Sequence, residues 1–452
     1  MNPDDEADSH APAHAGVAGI LLISAAALAV FAGTLRYPYL YDDVTEIREN
    51  SRVHRLDEIP SLLTTEFVYG VRGKGFVYRP VTAATIPPLV VAGRGSPAIF
   101  HGVNILLHVF ISAMLAVALA RLWRRRFPAL AAGLLFAVLP IHTEAVAWIS
   151  GRSELLQAAA GVAAWYCHLR AREGKRRWAA AGAWLLLAVA LGAKESAVAW
   201  PFIFFLGDWL FPPENAEAAA PPGRRFRPGL YLSYGALLAA WVGARFVVLG
   251  QLGRQAAEGA PLLNPLEGLP WLPYRPFTAL RLLFVAAWKS LAPGAPSIDY
   301  GFDQIPVAAG FLHADVAAGT ILLAVMLALL LIAVRRRSTG SLVKRLALAS
   351  AIFLLFWFPV SSLLLASVSI FAERNLYLPS LAFCIAAATA AEWIRKRLVP
   401  ARGMAAIGLV VLAGTGIYAA SRNAAYADPI SLYASTARAC PASARAHFLL
   451  AG

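Results

Sequence analysis

Long apolar runs separated by short basic segments dominate the chain. A helix that crosses a bilayer needs roughly 17–25 mostly apolar residues, fewer where its ends are buried in protein. On that criterion about eleven spans are predicted, near 16–35, 98–121, 127–142, 153–170, 178–193, 196–211, 229–249, 311–334, 346–368, 379–394 and 403–421. Two other apolar segments do not read as spans. Residues 81–93 are few and carry Pro87-Pro88. Residues 277–291 hold Arg281 and Lys289, and making them a span would invert every later loop. Residues 81–93 are read as interfacial or re-entrant, and residues 277–291 as part of one long outer loop, 250–306, that dips into the interface. The predicted fold class is an all-α polytopic membrane protein. Residues 1–15 form a tail and 16–421 the membrane domain. Residues 422–452 form an amphipathic, helical-hairpin-like segment (Leu432, Tyr433, Ala437, Pro441, Ala446, Leu449) on the far side.

Composition agrees with this pattern. Of the 452 residues 59% are hydrophobic and only 15% charged, too apolar for a soluble protein of this size. The net charge of +14 does not signal nucleic acid, because the basic residues sit in runs between spans. The runs around Arg121 to Arg126, Arg170 to Arg177, Arg224 to Arg227, Arg335 to Arg345 and Arg395 to Arg402 occupy alternate loops. By the excess of Lys and Arg these loops are cytoplasmic, which puts the N-terminus in the cytoplasm and Tyr41-Asp42-Asp43 outside. The loop holding Arg48, Arg52, Arg55, Arg72, Lys74 and Arg79 points the other way, but it is long and weighs less. The tail has no Lys or Arg, so the first span is expected to be a retained anchor. Cys167, Cys384 and Cys440 show neither metal spacing nor a disulfide framework.

On the outer side the count gathers Asp42, Asp43, Glu46, Arg79, His142, Glu144, Arg152, Glu154, Lys194, Glu195, Asp299, Asp303, Glu373 and Arg374. Ionisable groups at span ends are costly unless hydrated or paired, so such a set marks a functional cavity or a set of ion pairs stapling helix ends. Lys194-Glu195 reads either way. A transporter is disfavoured, because its ionisable residues would lie mid-membrane on broken, repeated segments. Adjacent carboxylates suit a general base, with one pKa raised by the other, and equally an N-cap of a helix starting near Val44. Arg374 is the first choice for an anion, since a guanidinium fork matches phosphate oxygens. Arg79, Arg152 and Lys194 are further cations of the same cavity. Glu373 beside Arg374 also reads as its neutralising partner. His142 and Glu144 suit sugar hydroxyls; their spacing alone is a weak metal signal. His101, Asn104 and His108 share a helix face and suit interhelical hydrogen bonds.

These pieces resemble the transmembrane and tetratricopeptide-repeat O-mannosyltransferases, within the GT-C glycosyltransferases. They are Tyr41-Asp42-Asp43 with Asn50; Tyr78-Arg79-Pro80; His101, Asn104 and His108; His142-Thr143-Glu144-Ala145-Val146-Ala147; and Gly151-Arg152-Ser153-Glu154-Leu155-Leu156. Lys194-Glu195, Asp299-Tyr300 and the run Glu373-Arg374-Asn375-Leu376-Tyr377-Leu378-Pro379-Ser380 follow in the same order. The resemblance implies a GT-C-type bundle with long non-cytoplasmic loops and an inverting glycosyltransferase. Its donor would be a mannose-like sugar on a polyprenyl phosphate (undecaprenyl or dolichyl type), and its acceptor a protein Ser or Thr hydroxyl. On this reading Asp43, or else Asp42, is the base. Arg374, Arg79, Arg152 and Lys194 meet the donor phosphate. His142, Glu144, Glu154, Glu195, Asp299, Glu373 and Tyr377 hold sugar or acceptor. No cofactor or divalent metal is expected. An Ala-, Arg- and Gly-rich composition suits a bacterial inner membrane with a periplasmic site. A glycolipid or cell-wall glycan acceptor, or a lipid-linked-substrate transporter, are the competing expectations. The final residues read as the possible start of a tetratricopeptide-repeat region.

Overall fold

The computed structural model describes residues 16–67, 77–173, 177–213, 228–250, 264–298, 300–301, 304–336, 340–364, 367 and 369–451. Helices occupy every segment read as a span, among them Val17–Phe31, Pro97–Trp123, Arg152–Arg172, Pro228–Leu249, Ala314–Arg335, Ser341–Trp357, Leu381–Arg397 and Ala401–Asn423. Among the described residues six helices are long and apolar enough to cross a membrane, and a pair bent by 49°, Arg126–Val138 with Pro140–Ala147, makes up to seven. The chain is an all-α polytopic membrane protein.

The expected count of about eleven rests on a looser length rule. Arg177–Ala193 and Leu381–Arg397 have 17 residues and Trp200–Leu210 has 11. Arg152–Arg172 carries Arg152, Glu154, Arg170 and Arg172 at its ends. These helices nevertheless bury much of their surface inside the bundle. Pro97–Trp123 packs against Val17–Phe31, Arg126–Val138 and Arg152–Arg172, and the last lies along Arg177–Ala193. Small residues allow the close approaches. A Cβ on Gly161 would fall 1.8 Å from the Trp200 indole nitrogen, so the glycine admits the ring.

The outer-loop segment that holds Arg281 and Lys289 is an 18-residue helix, Tyr274–Leu291, lying on Ala314–Arg335. Arg281 is buried and pairs with Asp315 at 2.8 Å, which offsets its desolvation. Where these helices touch, a Cβ on Gly319 would sit 1.9 Å from the Leu280 carbonyl oxygen. Backbone cannot yield as a side chain can. Gly319→Ala is therefore expected to push the helices apart at a cost of about 1–3 kcal/mol, read as a lower melting temperature in detergent. An unchanged melting temperature would contradict this contact. At the C-terminal end, Pro429–Ala439 and Ala444–Ala451 pack on each other.

Candidate active site

The acidic pair lies on a tight turn. Tyr41 adopts φ 49°, an unfavourable left-handed conformation for a bulky residue. The turn is closed in both directions: the Asp43 N–H donates to Leu40 O (2.9 Å), and the Leu40 N–H donates to Asp43 Oδ2 (3.1 Å). Asp43 Oδ1 accepts the N–H of Ser150 (2.9 Å) and its hydroxyl (2.5 Å). Asp43 precedes the short helix Val44–Arg48 but makes no side-chain cap. Its carboxylate instead ties the first loop to the turn Ile149–Gly151. Burial pushes it up to about 7, with the neighbouring charge of Asp42 adding to that, against the hydrogen bonds of Ser150 and Leu40.

Asp42 is different. It is partly exposed, and among the described residues its carboxylate makes no hydrogen bond or ion pair. Burial raises its pKa, while the nearby positive charges of Arg374 and Arg445 lower it. Arg445 comes from the C-terminal helix Ala444–Ala451, donates to the Tyr41 hydroxyl, and lies 5.7 Å from the centre of that ring.

A helix break builds the opposite wall. Pro140 lacks an N–H, and Leu139 before it is extended, so the helix Arg126–Val138 stops and restarts at a new angle. The second piece carries Glu144. Gly151 then lets the next turn lie against it, since a Cβ there would be 2.5 Å from Ala145 O. Glu144 accepts the Arg374 N–H (2.7 Å) and the guanidinium Nη1 (2.5 Å), and Arg374 lies over the Trp148 ring at 5.0 Å. The Arg374 side chain remains 29% exposed.

The other cations are also held. Arg79 grips Glu195 with two hydrogen bonds, Nε to Oε2 at 3.0 Å and Nη2 to Oε1 at 2.6 Å. Lys194 pairs with Glu154 and donates to Asn375 Oδ1 at 2.9 Å. Lys194 and Glu195, neighbours in sequence, thus serve separate partners. Arg152 is buried, stacks 4.8 Å over Phe100, donates to the Phe100 carbonyl at 3.2 Å, and is within electrostatic reach of Asp43.

Three expectations need correction. Glu373 does not neutralise Arg374; Glu144 does. Glu373 faces the other way, where it meets Arg422, the Tyr300 hydroxyl (2.5 Å) and Lys289 (3.6 Å). His142 and Tyr377 lie in the core rather than along an open cavity, each with 0% exposure. His142 Nε2 is 2.8 Å from Ser380 Oγ and Tyr377 OH 2.8 Å from His108 Nδ1, with Phe136 against both rings. Tightly packed aromatic faces leave no room there for a sugar. Asp299 and Asp303 lie outside the described residues. Of the face formed by His101, Asn104 and His108, Asn104 donates to Trp148 O and His108 Nε2 lies 3.1 Å from Ala137 O, while His101 meets the Tyr37 ring edge-on. Among the described residues no three His, Cys, Asp or Glu side chains are grouped to hold a metal ion.

Sequence reasoning missed Ser150, Lys289, Arg422 and Arg445. Serine at a turn carries no distinctive signal. Arg422, at the end of the last span, reads as an interface anchor, yet it is buried and reaches Pro140 O, Gly294 O and Glu373.

No protein-family model matches the chain. Among curated proteins it is similar to Protein O-mannosyl-transferase Tmtc1 of Drosophila melanogaster, 32% identical over 44% of this chain and 24% of that protein. Protein O-mannosyl-transferase TMTC3 of Mus musculus is 26% identical over 84% of this chain and 43% of that protein. Protein O-mannosyl-transferase F38B6.6 of Caenorhabditis elegans is 24% identical over 99% of this chain and 62% of that protein. The chain thus spans between 24% and 62% of the length of these relatives. Together these similarities support a TMTC-like family for the chain.

Proposed function

We propose that the chain is an inverting, GT-C-type glycosyltransferase that moves a mannose-like sugar from a polyprenyl phosphate to a protein Ser or Thr hydroxyl. The site would face the non-cytoplasmic side, with the N-terminus in the cytoplasm; composition favours a bacterial inner membrane, although the relatives described above come from animals. The observation that carries the reading is the partly exposed Asp42, whose carboxylate has no hydrogen-bond or ion-pair partner among the described residues, near a partly exposed Arg374.

Transfer requires a base for the acceptor proton and cations for the departing phosphate. On this reading the acceptor oxygen attacks the anomeric carbon from the face opposite the phosphate. The bond from that carbon to the phosphate oxygen breaks, the electron pair leaves on the phosphate, and the hydroxyl proton passes to Asp42. Asp42 is preferred to Asp43 because the Asp43 oxygens are already occupied by three donors. Arg374 and Arg79 are the phosphate ligands, each held by a carboxylate (Glu144, Glu195) that fixes the guanidinium before the donor arrives. Lys194 adds charge from behind, and Arg152 acts through Asp43. Glu154 and Glu195 remain candidates for sugar or acceptor contacts. A monophosphate facing fixed cations needs no divalent ion, so none is part of the scheme.

The test is transfer of radiolabelled mannose from polyprenyl-phosphate mannose to a Ser/Thr-rich peptide by the protein reconstituted in liposomes. Labelled peptide that resists EDTA is the expected product. Label appearing only in lipid or glycan would replace the protein acceptor, and donor translocated without any transfer would make the protein a transporter.

A further inference from the structure

Below the acidic turn, three oxygen-bearing side chains compete for hydrogens. Ser150 Oγ lies 2.5 Å from Asp43 Oδ1 and 3.2 Å from Glu46 Oε2. A serine hydroxyl has one hydrogen, so it cannot donate to two carboxylates at once. The shorter contact claims it. With Asp43 ionised, the second contact is favourable only if the Glu46 carboxyl supplies a hydrogen of its own. Glu46 is 3% exposed and its Oε1 has no hydrogen-bond partner among the described residues, so a negative charge there would be poorly compensated.

We propose that Glu46 is a neutral carboxylic acid and a positioning residue. Its hydrogen goes to Ser150 Oγ, which leaves the Ser150 hydroxyl and N–H both committed to Asp43. The groups facing this cluster fit the assignment. Asp42 and Asp43 stand on the same segment, Arg79 approaches from the start of Pro80–Ala84, and Arg152 faces Asp43 from the start of Arg152–Arg172. Burial raises Glu46 well above the ordinary carboxyl range, and Asp42 and Asp43 raise it further, against Ser150 and Arg79. The role in holding the Asp42 turn rests on the functional reading above; the neutral carboxyl does not.

Infrared spectroscopy of the reconstituted full chain tests this without an activity assay. At pH 7 the wild-type-minus-Glu46→Gln difference should contain the carbonyl stretch of a neutral carboxylic acid, shifted in deuterated water. Asp43→Asn, which retains Glu46, should keep the band, so the test stands even if Glu46→Gln folds poorly. Absence of the band, or a band that survives Glu46→Gln and disappears in Asp43→Asn, overturns the assignment. The sign of the stability effect follows: a pKa raised by folding contributes stability at low pH that is lost as pH climbs through the folded value. The fall in melting temperature as pH rises above the ordinary Glu value of about 4.3 should thus be shallower in Glu46→Gln, which still donates to Ser150 but cannot ionise; an equal fall counts against the proposal. A preparation with the band and no transferase activity supports the neutral Glu46 and sinks the functional reading alone.

Discussion

Asp42→Asn stops sugar transfer while leaving donor binding and the melting temperature close to wild type. Loss of a general base costs about 10²–10⁴-fold in rate, and the Asp42 carboxylate has no structural partner to lose among the described residues. Asp43→Asn differs in kind. Asp43 accepts from the Leu40 N–H, the Ser150 N–H and the Ser150 hydroxyl, and an amide offers one oxygen where the carboxylate offered two. One buried donor then faces an NH₂ group, at a cost of about 1–3 kcal/mol. Asp43→Asn should therefore lower the melting temperature and reduce activity together. The measurement is single-turnover transfer beside thermal unfolding for both variants. Full turnover in Asp42→Asn, with a stable but inactive Asp43→Asn, would return the base to Asp43.

Arg422→Ala should be the most destabilising single change near the site. The guanidinium joins the last span to the helix break at Pro140, to Gly294 and to Glu373. Arg422 is 3% exposed and Glu373 0%. Removing one member of a buried pair leaves a charge without compensation, which typically costs about 3–5 kcal/mol. Lys should rescue poorly, because a point charge cannot reach three acceptors in different directions as a guanidinium fork does. Combining Arg422→Ala with Glu373→Gln should recover part of the loss, since the stranded charge is gone. Denaturant unfolding in detergent across this cycle gives the coupling. Additive effects of the two changes would show that the pair does not act as a unit. Because Glu373 directly precedes Arg374, the single variant should also weaken donor binding.

Much of the architecture was readable from the chain because apolar length and the position of Lys and Arg are local properties. Each apolar run became a helix, although the bend at Pro140 that carries Glu144 lies inside what read as one span, 127–142. The Asp-Asp pair, Arg79, Glu144, Arg152, Lys194 and Arg374 were identifiable as a group for the same reason: charge is conspicuous against an apolar background. Their pairing was not. Sequence adjacency suggested Glu373 with Arg374 and Lys194 with Glu195, but neighbours on a tight turn point in different directions. The actual partners are Glu144, Glu154 and Arg79, at least 40 residues away. His142 and Tyr377 illustrate the same limit, because a polar ring in a motif looks alike whether it lines a cavity or fills a core.

The sequence by itself determined that this is a helical membrane protein with ionisable groups gathered in particular loops, since hydropathy and charge act over a few consecutive residues. Only the tertiary structure decided that Asp43 is bound up with Ser150 and Leu40 while the Asp42 carboxylate has no such partner among the described residues. That distinction depends on a turn more than 100 residues away lying 2.5 Å from one carboxylate and not the other. A hydrogen bond is made or lost within fractions of an ångström, and no pattern of residue types encodes distance at that scale.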